Sequence, residues 1–246
     1  MAGVTSGAVR RRPGAIPSDA AGADASVGRP PRWLLAVALV VTVTVTVDLL
    51  GRGVLERVDL RISEVVSAWD LKDSAAYWPV LAVTQLGGRG FILIVLAGLV
   101  GYLAWRFHTV VPLVRVLLAL ALLTVVVYSF KYGTGRTAPA YPGSFFHRDG
   151  ASYPSGHVAN AVLMWGVARW QVVQYRLAAW VQLTARALSD AGPVATGVAM
   201  VSLDFHWVTD AVVGAAVGIL LLGVVHLLDA VVVSRWVGAR AGRSAA

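Results

Sequence analysis

Long apolar runs separated by short polar connections organise this chain, and no other feature narrows its fold as much. Trp33 to Leu50, rich in Val, Leu and Thr, is long enough to cross a hydrocarbon core about 30 Å thick at about 1.5 Å per residue. Phe91 to Trp105, Val110 to Phe130, His157 to about Val173 and Val208 to about Val233 repeat the pattern. Gly192 to Phe205 is a shorter, weaker run in which Pro193 suits a first helical turn. The six runs predict an all-α, polytopic membrane protein built as a six-helix bundle. Composition agrees: the chain is 57% hydrophobic and only 14% charged, too apolar for an ordinary soluble domain.

Two further stretches do not read as spans. Residues 54 to 69, VLERVDLRISEVVSAW, alternate charged and apolar side chains at helical spacing and predict an amphipathic helix lying in the interface. Residues 75 to 90 are apolar but broken by Pro79 and Gly87-Gly88, which predicts a short or re-entrant segment. The first 32 residues carry five arginines among Gly, Ala, Ser and Pro with no hydrophobic period, so they are read as a disordered basic tail. Residues 33 to 233 form the membrane domain and residues 234 to 246 a second tail.

The net charge of +8 would suggest nucleic acid in a soluble protein, but here the basic residues fall between spans. The tail, Arg106, Arg176, Arg186 and the C-terminal Arg235, Arg240 and Arg243 share one side. The positive-inside rule makes that side cytoplasmic, with both termini inside a plasma membrane, and no nucleic-acid partner is expected. Residues 51 to 90, 131 to 156 and 204 to 207 then face outward. The absence of cysteine excludes disulfides and thiolate chemistry.

Three polar stretches share the outer face: KYGTGRTAP (Lys131 to Pro139), YPSGH (Tyr153 to His157) and SLDFHWVTD (Ser202 to Asp210). In the second, Ser155 and Gly156 stand where a helix starts, so unpaired N–H groups and the positive dipole end meet an anion. His157 is placed beside that anion, where an imidazole can protonate a leaving oxygen. In the third, His206 and Asp210 are four apart, on one helical face, so the carboxylate can hold one ring nitrogen and leave the other free to attack. In the first, Lys131 supplies a cation at the end of a span and Arg136 follows five residues on in a Gly-rich loop. Two histidines and a carboxylate also make a zinc set, but the Ser-Gly helix start and Lys131 favour an anion, and no metal or cofactor is expected.

In this order the motifs resemble the type-2 phosphatidic acid phosphatase superfamily, whose pattern is K-x6-R-P, P-S-G-H and S-R-x5-H-x3-D. The resemblance covers roughly residues 33 to 233 and rests mainly on Pro154-Ser155-Gly156-His157 and His206-Trp207 followed by Asp210. It implies a metal-independent lipid phosphatase with its site on the outer face, acting on a lipid phosphomonoester or an isoprenyl or lipid diphosphate. It further implies that His206 is the nucleophile, forming a phosphohistidine, that Asp210 supports it and that His157 protonates the leaving oxygen. Lys131, Ser155 and Gly156 would hold phosphate oxygens, with Arg136, two residues before Ala138, as a further phosphate ligand in place of the family arginine. Two positions depart from the pattern: Ala138 stands where the first arginine is expected, and Ala199-Met200 stand in place of Ser-Arg. Each missing charge-assisted hydrogen bond is worth about 1.5 to 3 kcal/mol. The alternative function is therefore a catalytically weakened relative that binds phospholipid.

Overall fold

A computed structural model describes residues 28–141 and 143–233. The arginine-rich start of the basic tail and the whole C-terminal tail lie outside the described residues. Among the described residues the chain is helical, with one isolated bridge between Arg136 and Phe146 and no strand. Eight α-helices follow in order: α1 (Arg32–Leu50), α2 (Val54–Ser67), α3 (Tyr77–Thr84), α4 (Arg89–Phe107), α5 (Val111–Thr134), α6 (Gly156–Gln174), α7 (Ala179–Ser202) and α8 (Val208–Leu228).

Four of these, α1, α4, α5 and α8, are long and apolar enough to cross a membrane by length and composition. Large apolar side chains on α1 and α4, such as Val40, Val47 and Ile94, are exposed, as a lipid-facing surface requires. The helix α6 does not meet the same composition test, and its place in the bundle explains why. It packs against α7 and α8 on two sides and α5 and α4 on the others, and nearly every residue from Val158 to Val172 is buried. A helix enclosed by protein does not need a lipid-compatible surface, so Asn160, Arg169 and Gln171 are accommodated.

The two non-spanning expectations have counterparts: residues 54–67 form α2, and the broken stretch holds the eight-residue α3. The fifth run differs. Its helix begins at Ala179, well before Gly192, and Pro193 is a buried residue in the helix interior rather than in its first turn. Polar residues in the first half of α7 hid it from an apolar count. The structure pairs Asp190 with Arg169 of α6 at 2.9 Å and with Arg186 at 3.5 Å, so the charges on this half offset each other. Bundles of this kind tolerate an interior proline because neighbouring helices restrain the interrupted ladder.

Close helix approach holds the centre. A Cβ at Gly214 of α8 would meet the Ser155 carbonyl oxygen at 2.6 Å, and one at Gly218 would meet Val162 Cβ at 2.7 Å and the Ala159 oxygen at 2.9 Å. Glycine at both positions lets α8 lie against the start of α6, the packing that small residues provide where no hydrophobic effect drives helices together. At the other end of the bundle, Arg115 of α5 donates to Asp229 through Nε and Nη2 at 2.7 and 2.9 Å, and stacks 4.1 Å above the Trp170 ring.

Gly218→Leu is expected to lower stability by at least about 1–3 kcal/mol through overpacking. Gly98→Leu, where a Cβ meets nothing within 4 Å, is expected to be neutral. Thermal unfolding of the two variants in detergent checks the contrast.

Candidate active site

The three polar stretches converge at one end of the bundle, around a cavity of about 660 Å³. Its wall includes Lys131 from the end of α5, Gly156 and His157 from the start of α6, and His206 from the turn between α7 and α8. Each arrives there by a local rule. Gly135, at φ 60°, ends α5 in the left-handed region that glycine adopts without strain. The chain then folds back on itself: Thr137 N–H donates to Phe145, His147 N–H to Gly135, and Ser152 N–H to the Arg136 carbonyl at 2.8 Å. This hairpin-like loop carries Ser152 and the P-S-G-H stretch to the mouth of α6.

Ser155 is the N-cap of α6. Its hydroxyl accepts from Val158 N–H at 3.5 Å, and its own N–H donates to the Asp210 carbonyl at 2.9 Å. Ser155 is fully buried and does not line the cavity. The residues of the first turn that do line it are Gly156 and His157, whose N–H groups have no intrahelical acceptor. Lys131 donates its Nζ to the Ala151 carbonyl at the cavity wall.

His206 is oriented from behind. Its Nδ1 is 3.2 Å from Asp210 Oδ2 and 3.1 Å from Ser152 Oγ. The Asp210 carboxylate is completely buried, and Oδ2 also accepts from Trp207 N–H at 3.1 Å and from the Ser152 hydroxyl. With Nδ1 occupied, Nε2 is the ring nitrogen left for the cavity.

Arg136 occupies a place the sequence did not suggest. It is fully buried and absent from the cavity wall. Nη1 donates to Asp210 Oδ1 at 2.6 Å and to Thr209 Oγ1 at 2.7 Å, and Nη2 donates to Asp59 Oδ2 at 2.6 Å. Phe145 and Trp207, stacked 4.7 Å apart, lie 5.5 and 5.3 Å from its guanidinium. The Trp207 indole N–H donates to Thr137 at 2.7 Å and closes this cover. Arg136 therefore faces the back of Asp210, where its charge offsets the desolvation of two carboxylates.

Asp59, Ser152 and Thr209 are members of this network that sequence reasoning missed. Asp59 lies on the amphipathic α2, where a carboxylate reads as part of a solvated face, yet it accepts from Thr209 N–H at 3.0 Å and from the Thr209 hydroxyl. Other polar residues have plain roles. Asp204 accepts from Ser67 at 2.9 Å and Ser63 at 3.3 Å, which turns its charge away from the cavity. Asp48 caps α2 through the N–H groups of Val54 and Leu55. The Arg148 side chain is 89% exposed beside Asp149. Burial pushes the Tyr153 phenol up to about 12, so it stays neutral while it shares a 2.6 Å hydrogen bond with Thr46 of α1. Among the described residues no group of three or more His, Asp or Glu is placed to hold a metal ion.

A histidine, a buried carboxylate and a lysine thus meet at one end of a bundle of apolar helices. The family model of the PAP2 superfamily matches residues 112–238, and the chain belongs to that superfamily. Its fold is similar to the crystal structure of a transmembrane PAP2-type phosphatidylglycerolphosphate phosphatase from Bacillus subtilis. That likeness has a TM-score of 0.61 and 20% identity, over 82% of this chain and 96% of the other. No curated protein matches.

Removing Asp59 would leave Arg136 half paired in a dry site, so Asp59→Ala is expected to cost about 3–5 kcal/mol of stability. Asp149→Ala, which breaks an exposed contact with Arg148, should cost less than about 1 kcal/mol. Denaturant or thermal unfolding of both proteins in detergent measures the difference.

Proposed function

We propose that this protein hydrolyses a lipid phosphomonoester or a lipid or isoprenyl diphosphate through a phosphohistidine intermediate. The observation that carries this reading is His206 held through Nδ1 by a buried Asp210, on the wall of a cavity that also contains His157 and Lys131. His206 Nε2 attacks phosphorus as the bond to the lipid oxygen breaks, and His157 delivers a proton to that oxygen. Asp210 stabilises the charge that His206 acquires. His157, now neutral, takes a proton from water, whose oxygen displaces His206 and releases inorganic phosphate. Lys131 and the N–H groups of Gly156 and His157 neutralise the phosphoryl oxygens, while Ser155 acts through the helix start that it caps.

In this reading α6 and α7 also cross the bilayer, giving six spans in a plasma membrane with both termini cytoplasmic and the site at the outer leaflet. Contacts at the two ends support it: the start of α4, the end of α5 and the start of α6 meet at the cavity through Arg89, Lys131 and Gly156, whereas the ends of α4 and α6 meet through Phe107 and Tyr175. A lipid phosphate placed at this depth keeps its tail in the bilayer beside the exposed apolar faces of the helices.

A second reading, a phospholipid-binding relative without turnover, draws on Ala138 and Met200, which line the cavity without charge. Phosphate release from a panel of lipid phosphates and diphosphates, in detergent with EDTA, separates the two. We expect release that ignores EDTA and falls at least about 10³-fold in His206→Ala, with an acid-labile phosphoenzyme trapped in the unmodified protein. Folded protein that binds these lipids but releases no phosphate would establish the second reading.

A further inference from the structure

The cavity lacks both arginines of the family pattern, and the nearest arginine in sequence cannot replace them. Ala138 and Met200 stand at those positions and line the wall. Both terminal nitrogens of Arg136 are committed to buried carboxylates behind Asp210, and Arg148 points into solvent. Yet a phosphate dianion in a partly enclosed site needs more than one lysine.

A third arginine is in place. We propose that Arg89, the first residue of α4, is a phosphate-binding residue that supplies the charge missing at Ala138 and Met200. The inference rests on the phosphatase reading and adds a residue to it. Arg89 lines the same cavity as Lys131, His157 and His206, and its charge acts on His157 together with that of Lys131. No carboxylate among the described residues pairs with it.

The segment before Arg89 is fixed against α6. Trp165 Nε1 donates to the Leu86 carbonyl at 2.8 Å, and Asn160 Nδ2 donates to the Gly87 carbonyl at 2.8 Å. Gly87 itself packs on the backbone of His157, where a Cβ would meet the carbonyl oxygen at 2.5 Å. Arg89 is therefore tethered two residues from a contact with the proposed general acid. A cation in the first turn of a helix opposes the helix dipole, so helix stability does not account for this arginine, whereas a bound anion does. Spacing alone does not reveal it, because Gln85 to Gly90 reads as the broken end of a short or re-entrant segment.

The test uses the full chain in detergent with a soluble short-chain phosphatidic acid as substrate and orthovanadate as a binding probe. Arg89→Ala is expected to lower kcat/KM by about 10- to 100-fold and to weaken vanadate-dependent thermal stabilisation. Arg89→Lys should recover part of both, and Met200→Arg in the Arg89→Ala background should raise activity again by returning a cation to the wall. An Arg89→Ala protein with unchanged kcat/KM and unchanged vanadate stabilisation overturns the inference and leaves the phosphatase reading standing. A loss that neither Arg89→Lys nor Met200→Arg relieves also overturns it, since charge is then not what was removed. If the unmodified protein releases no phosphate, the phosphatase reading fails. The vanadate arm still decides on Arg89: stabilisation lost in Arg89→Ala supports it, and its absence in the unmodified protein overturns it.

Discussion

The guanidinium of Arg136 lies between two carboxylates that come from distant parts of the chain, and the cavity end of the bundle is assembled around it. Asp59 arrives from α2 and Asp210 from the first turn of α8, and neither side chain is exposed. The shared cation pairs with both, and the Thr209 N–H and hydroxyl donate to Asp59 as well. Both terminal nitrogens of Arg136 are engaged, although its Nε has no partner, and these bonds tie α2, the 135–152 loop and α8 to one another.

This arrangement has a consequence for chemistry. The orienting carboxylate of His206 is held on Oδ1 by Arg136 and on Oδ2 by Ser152 and Trp207 N–H. It has little freedom to rotate, so the imidazole it holds is presented to the cavity in one orientation. Groups that touch the cavity and groups that align them are thus separated. Lys131, Ser152, Gly156, His157 and His206 lie on the wall, while Asp59, Arg136, Thr209 and Asp210 stand behind it. A charge that the sequence invites one to place on the substrate instead maintains the frame.

Much of this was legible beforehand, for identifiable reasons. The apolar runs gave four helices that satisfy a membrane criterion by themselves, because a lipid-facing helix must carry its hydrophobicity on its own surface. Helix α7 was seen only in its second half, since paired charges in the first half look like a loop to a count of apolar residues. The i, i+4 spacing of His206 and Asp210 placed them together, as they are at 3.2 Å, because helical periodicity is a local property. Ser155 and Gly156 opened a helix for the same reason.

Sequence by itself determined the helical class, the membrane character, the order of the motifs and the local pairs within them. All of these follow from interactions spanning a few residues or from the solvent that the whole chain must meet. Only the tertiary structure decided which charges face the cavity. Arg136 and Arg89 are both arginines in short Gly-rich segments, and nothing local distinguishes a clamp from a cavity wall. The difference arises because Asp59, 77 residues from Arg136, reaches one of them, while Trp165 and Asn160 tie the segment before the other to α6. Long-range pairing engaged the terminal nitrogens of the buried cation and left the other open, and that choice is set by packing rather than by spacing.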